Sequence, residues 1–105
     1  MMKMFSALLV VLFSLVSWAG DPVWIDVRSA GEFSGGHIEG AHNIPHSEIV
    51  EGIKALKLDK GAEVLLYCRS GRRATFALEQ LQQQGYTNVK NIGGFEDAQR
   101  YGGPL

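Results

Sequence analysis

Cysteine is nearly absent: Cys68 is the one thiol in 105 residues, so no disulfide can close within the chain. A surplus of either charge is missing as well. The 10 Lys and Arg stand against 11 Asp and Glu for a formal net charge of -1, and the two signs are interspersed. That balance argues against a nucleic-acid surface and a polybasic membrane patch, and leaves a small diffusible partner as the expectation. Internal repeats, low-complexity tracts and linkers are also lacking. Once an N-terminal segment is set aside, the length fits one small domain with one core.

That segment, Met1 to Ala19, reads as an export signal. Lys3 supplies a positive start, Met4 to Val16 is apolar apart from two serines, and Ser17-Trp18-Ala19 puts small residues three before and one before a cut. A membrane span needs about 20 apolar residues. This run is shorter, with Gly20-Asp21-Pro22 directly behind it. Cleavage is expected after Ala19 or Gly20, leaving a domain over residues 20–105 in the periplasm with no membrane attachment. No cysteine adjoins the cut, which excludes lipid modification of a cysteine there.

The mature part alternates strand and helix patterns. Val23 to Val27 is a short β-branched run, and Ser29 with Glu32 three residues on fits a capping box opening one helical turn. Gly35-Gly36 breaks that turn, Ala41 to Ile44 is extended, and Pro45 closes it. Ser47 is expected to cap a helix whose Ile49, Ile53 and Leu56 share a face, ended by Lys60-Gly61. Val64 to Tyr67 is continuously apolar, which suits a central parallel strand. A helix over about Arg73 to Gln84 follows, with Ala74, Ala77, Leu78 and Leu81 inward and Gly85 at its C-terminal cap. Val89 to Ile92 reads as a strand, Gly93-Gly94 as a turn, and Phe95 to Tyr101 as a last helix. The pattern predicts an α/β fold: a small central parallel sheet of about four strands flanked by helices, with ligands beyond the carboxyl ends of the strands.

Cys68 falls on that edge, at the head of Cys68-Arg69-Ser70-Gly71-Arg72-Arg73. A lone cysteine is by default a small buried hydrophobe. Arginines and a glycine are poor core material, however, and good stabilisers of a thiolate. The N–H groups of residues 69–73 are expected to converge on the sulfur, with the helix N-terminus behind them, and the side chains of Arg69, Arg72 and Arg73 to bind an oxyanion.

Asp26-Val27-Arg28, Glu32-Phe33 and Gly36-His37-Ile38-Glu39-Gly40-Ala41-His42-Asn43-Ile44-Pro45 resemble the N-terminal signature of rhodanese domains. The Cys68 loop is similar to their active-site loop, and Asn91-Ile92-Gly93-Gly94-Phe95 to their closing segment. In order and together, these cover nearly the whole mature chain, which looks most like the small periplasmic single-domain rhodaneses of the phage-shock type. Glu39 stands where proline is common, and the chain before Val23 is too short for the extra strand of larger members.

The resemblance implies a three-layer rhodanese-like fold and sulfane-sulfur transfer. Thiosulfate would give its outer sulfur to Cys68, and the persulfide would pass it to cyanide or a thiol, with no metal or organic cofactor. Ser70 and Gly71 join the three arginines as substrate-binding positions, with Arg73 and Arg69 ranked ahead of Arg72. A carrier that holds persulfide for a protein partner is the alternative. Phosphatase and arsenate reductase chemistry rank lower: cysteine phosphatases of related architecture place the arginine after five intervening residues, and here that position is Ala74. Asp26, Arg28, Glu32 and His37 are read as structural support, Glu32 being the expected partner of Arg28. His42 and His46 have no cysteine or carboxylate at ligand spacing, which argues against a metal site. Trp24, Tyr67 and Phe95 are read as core, and no long apolar stripe is left over, so a monomer is expected.

Overall fold

The computed structural model describes residues 20–101, so the signal segment assigned to residues 1–19 lies outside the described part. The elements are β1 (Val23–Asp26), α1 (Ala30–Ser34), β2 (His42–Asn43), a 3-10 turn (His46–Glu48), α2 (Ile49–Lys54), β3 (Val64–Cys68), α3 (Arg72–Gln83), β4 (Val89–Gly94) and α4 (Phe95–Tyr101). The strands form a four-stranded sheet in the order β2-β1-β3-β4, with every neighbouring pair parallel. From β1 the chain steps first to β2 on one side and then back past β1 to β3 on the other. The strand order therefore reverses between β1 and β3, and the crevice beyond their carboxyl ends is where a sheet of this kind binds ligands.

All five residues of β3 are buried, as a strand covered on both faces requires. Alternation along it sends Val64, Leu66 and Cys68 to one face, where they join Ile25, Val27, Ile49, Ile53, Ala74, Ala77 and Leu81 under α2 and α3. On the opposite face Tyr67 meets Phe95, its ring centroid 5.8 Å away, and Trp24 at 6.0 Å. Trp24 in turn meets Tyr101 at 5.8 Å, so α4 covers the second face. Helices on both sides of a parallel sheet make the three-layer α/β architecture.

Local chemistry sets the ends of the elements. The Ser29–Glu32 capping box at α1 is complete, with each side chain bonded to the other's backbone N–H. Gly85 adopts φ 98° just past α3. Ser47 does not cap α2: Glu48 N donates to the Pro45 carbonyl at 2.8 Å and winds the segment into the 3-10 turn. That helix stops at Lys54 rather than near Lys60, because Ala55, Leu56 and Lys57 each bond back three residues and tighten its last turn. Helix α3 runs one residue earlier at each end than its periodicity indicated.

Gly93 and Gly94 belong to β4 and not to a turn. Leu66 faces Asn91 while Tyr67 faces Gly93, so Ile92 is an extra residue in the ladder, a β-bulge that bends β4 beside the Cys68 loop.

Candidate active site

Cys68 ends β3 opposite Gly94 and next to the reversal between β1 and β3. Its Sγ accepts a hydrogen bond from Gly71 N at 2.9 Å. Among the described residues this is the one loop amide that reaches the sulfur, so the expected convergence of five N–H groups narrows to one. The amides of Arg72, Arg73 and Ala74 open α3 and have no carbonyl one turn back to bond. Thr75 N makes the first return bond, to the Gly71 carbonyl at 3.0 Å. The thiol is also more covered than its arginine-rich neighbours indicate: Cys68 is 1% exposed, because strand alternation turns it toward α3.

The loop is held from β4. Gly71 adopts φ 97°, a left-handed conformation that glycine takes without penalty, and its Cα lies so close to Gly93 that a Cβ would come within 3.4 Å of the Gly93 Cα. A Cβ on Gly94 would collide with the Arg69 carbonyl oxygen. Asn91 Nδ2 donates to the Gly71 carbonyl at 3.0 Å and to Thr75 Oγ1 at 2.9 Å, while its Oδ1 accepts from Gly93 N at 2.8 Å. Asp97 Oδ2 then accepts from Gly94 N at 2.8 Å. None of Asn91, Thr75 or Asp97 carried a site role in the sequence reading. The usable signal was an asparagine inside a strand pattern just ahead of a glycine pair, since asparagine is depleted in strands.

Glu32 does not pair with Arg28. Arg28 grips Asp26 instead, with Nε 3.0 Å from both carboxylate oxygens, Nη2 2.7 Å from Oδ2, and its backbone N 2.8 Å from Oδ1. Two residues apart at a strand end, these groups meet without any help from the rest of the fold. Arg28 also donates to the Gly36 carbonyl at 2.6 Å and lies 4.7 Å from the Phe95 ring centroid, so the pair ties β1, the α1–β2 loop and α4 together. The Asp26 hydrogen bonds raise the Arg28 pKa.

Glu32 turns to the Cys68 loop. Arg73 holds it with two bonds, Nη1 to Oε1 at 3.0 Å and Nη2 to Oε2 at 3.1 Å, and Arg69 Nη1 lies 3.7 Å from Oε2. Ser29 N adds a bond to Oε1 at 2.9 Å. Arg73, and after it the Ser29 N–H, hold the Glu32 carboxyl down to about 2. Glu32 in turn raises the Arg73 pKa, with the Cys68 sulfur adding a smaller electrostatic contribution.

Three depressions surround the loop. The largest, about 610 Å³, is bordered by Arg28, Glu32, Arg69, Phe95, Glu96 and Asp97 among others. A second of about 460 Å³ is formed by Ser70, Gly71, Arg72, Thr75, Asn91 and Gly93. A third of about 260 Å³ lies between His46, Ser47, Arg72, Arg73 and Phe76.

His37 stacks on Phe33 and its Nδ1 lies 2.8 Å from the Phe33 carbonyl. His42 is exposed on β2, and His46 packs edge-on against Phe76. Tyr67 is fully buried, its hydroxyl accepts from Ile38 N at 2.9 Å, and burial pushes its pKa up to about 12.

A cysteine at the carboxyl end of a central parallel strand, followed by a short arginine-rich loop that opens a helix, places the candidate site in an α/β domain of the three-layer class. A family model described as Rhodanese-like domain matches residues 14–100, and the chain belongs to that family. It is 42% identical over 89 residues to Thiosulfate sulfurtransferase PspE of Escherichia coli (strain K12), covering 85% of each chain. It is 35% identical over 75 residues to Thiosulfate sulfurtransferase GlpE of Pseudomonas putida (strain GB-1), covering 70% of this chain and 66% of that one. Among solved structures, a rhodanese with anions from E. coli superposes with a TM-score of 0.70 at 42% identity, over 73% of this chain and 91% of that one.

Proposed function

We propose that this protein is a thiosulfate sulfurtransferase in which Cys68 carries the transferred sulfur. The observation that carries this reading is the Cys68 sulfur at the carboxyl end of β3, bonded by Gly71 N beneath a loop bearing Arg69, Arg72 and Arg73. The names of the PspE and GlpE relatives support the same donor.

The reaction has two displacements. Cys68 releases its proton to water, and the thiolate's electron pair forms a bond to the outer sulfur of thiosulfate. The sulfur–sulfur bond of the donor breaks, and its pair leaves with sulfite. The product is a Cys68 persulfide anion, which the Gly71 N–H and the first-turn amides of α3 favour over a neutral group. Cyanide or a thiolate then attacks the terminal sulfur, and the Cys68 thiolate returns. Because Cys68 is 1% exposed, the loop must shift before the donor reaches the sulfur.

Phosphatase chemistry fits poorly. The residue six beyond Cys68, where a clamping arginine would stand, is Ala74, which lies in the first turn of α3 and is fully buried against the core. We place the activity outside the cytoplasm on residues 1–19 alone; a mature chain beginning at Gly20 or Asp21, read by intact mass, is the check.

The test is thiocyanate formation from thiosulfate and cyanide, with the wild type and Cys68→Ser side by side. Turnover by the wild type alone is expected. Equal activity in both, or none in either, would end the catalytic reading, and a mass gain of one sulfur without turnover would favour a persulfide carrier.

A further inference from the structure

The arginines of the Cys68 loop stand in unlike electrostatic surroundings, and the difference picks out one of them. Arg73 is held by both oxygens of Glu32. Arg69 lies 3.7 Å from the same carboxylate and borders the cleft of about 610 Å³, whose walls also carry Glu96 and Asp97. The other cation of that cleft, Arg28, is engaged by Asp26. A dianion entering there meets three carboxylates, and the one arginine not already hydrogen-bonded to a carboxylate, Arg69, stands beside Glu32.

Arg72 differs on each count. Among the described residues no carboxylate lies within salt-bridge distance of it, while like Arg69 it is exposed. It borders both remaining depressions, of about 460 and 260 Å³, and among the described residues neither has an acidic one in its wall. The larger of these also includes Gly71, whose N–H is bonded to the Cys68 sulfur, so an anion held there lies against the residue that touches the nucleophile. Asn91 Nδ2 and Thr75 Oγ1 in the same wall already spend their hydrogens on Gly71 and Thr75 acceptors. Arg72 is the remaining strong donor, placed at the start of the twelve-residue helix α3, where backbone N–H groups are unpaired.

We propose that Arg72 is the arginine that captures the dianionic sulfur donor, and that the donor approaches over the Arg72 side of the loop and not through the carboxylate-walled cleft. This rests on the sulfur-transfer reading and reverses the ranking of Arg73 and Arg69 ahead of Arg72. Glu32 keeps those two arginines as loop-positioning groups.

The experiment is steady-state kinetics of the purified protein with thiosulfate varied at saturating cyanide, for the wild type, R72Q, R72K, R69Q and E96Q. R72Q is expected to raise KM for thiosulfate ~10-fold or more, as loss of a charge-assisted anion contact does. Its kcat should fall far less and its unfolding midpoint should stay put, since the side chain is exposed. R72K should recover part of the KM by restoring the charge, and added salt should raise the wild-type KM more steeply than that of R72Q. R69Q should raise KM less than R72Q does, and E96Q should leave it unchanged. A KM for R72Q equal to the wild type's, or a KM that falls in E96Q, would overturn the assignment to Arg72 while leaving sulfur transfer intact. A wild type that makes no thiocyanate would overturn both.

Discussion

Replacing Glu32 by Gln keeps the shape of the side chain and removes the charge that Arg73 and Arg69 share. The carboxyl lies at about 2 in the folded protein against an ordinary 4.5. Each unit of such a shift corresponds to ~1.4 kcal/mol, so the charge is worth at most ~3 kcal/mol to the fold. Solvent reaches the pair, with 31% of the Arg73 side chain and 24% of the Glu32 side chain exposed. Screening of that kind brings the expected loss at neutral pH to ~1–2 kcal/mol. The sign follows from linkage. The folded-state pKa is depressed, so the stabilisation is fully present above the unfolded carboxylate range and is lost as pH falls through about 2. Urea unfolding of wild type and Glu32→Gln between pH 7 and pH 2 is the assay, and the gap between the two should be constant above about pH 5 and shrink steadily below it. A gap that is absent at pH 7, or one that persists undiminished to the acid limit, would refute this account of how α1 grips the Cys68 loop.

Asp26→Ala strands Arg28, a residue 6% exposed, without its carboxylate, and should cost ~3–5 kcal/mol in urea unfolding; a loss below ~1 kcal/mol would contradict the buried-pair reading. Gly94→Ala drives a methyl group into the Arg69 carbonyl. The overpacking should cost ~1–3 kcal/mol. Displacement of the loop should also cut thiocyanate turnover ~10- to 100-fold, and full activity in this variant would show that β4 does not set the loop's position.

What could be read from the sequence was what lies close along the chain. The Ser29–Glu32 capping box, the Gly85 cap and the buried stripe of α3 each depend on residues within one or two turns, and they appear much as their spacing indicated. The continuous apolar character of β3 similarly identified the central strand. Pairings across the fold could not be read. Glu32 finds Arg73 41 residues later because the order reversal of the sheet brings α1 over the Cys68 loop. Asn91 finds the Gly71 carbonyl across 20 residues because the bulge at Ile92 bends β4 toward it. The burial of Cys68 was available from alternation, since it shares a face with Val64 and Leu66, but the charged residues after it drew attention to exposure.

The most direct measurement is the intact mass of the protein after thiosulfate is added and removed, with peptide mapping of the modified residue. The account predicts a gain of one sulfur atom on Cys68, lost on adding cyanide as thiocyanate appears, and absent from Cys68→Ser. An unmodified Cys68 in protein that still makes thiocyanate, or sulfur carried on any other residue, would contradict it.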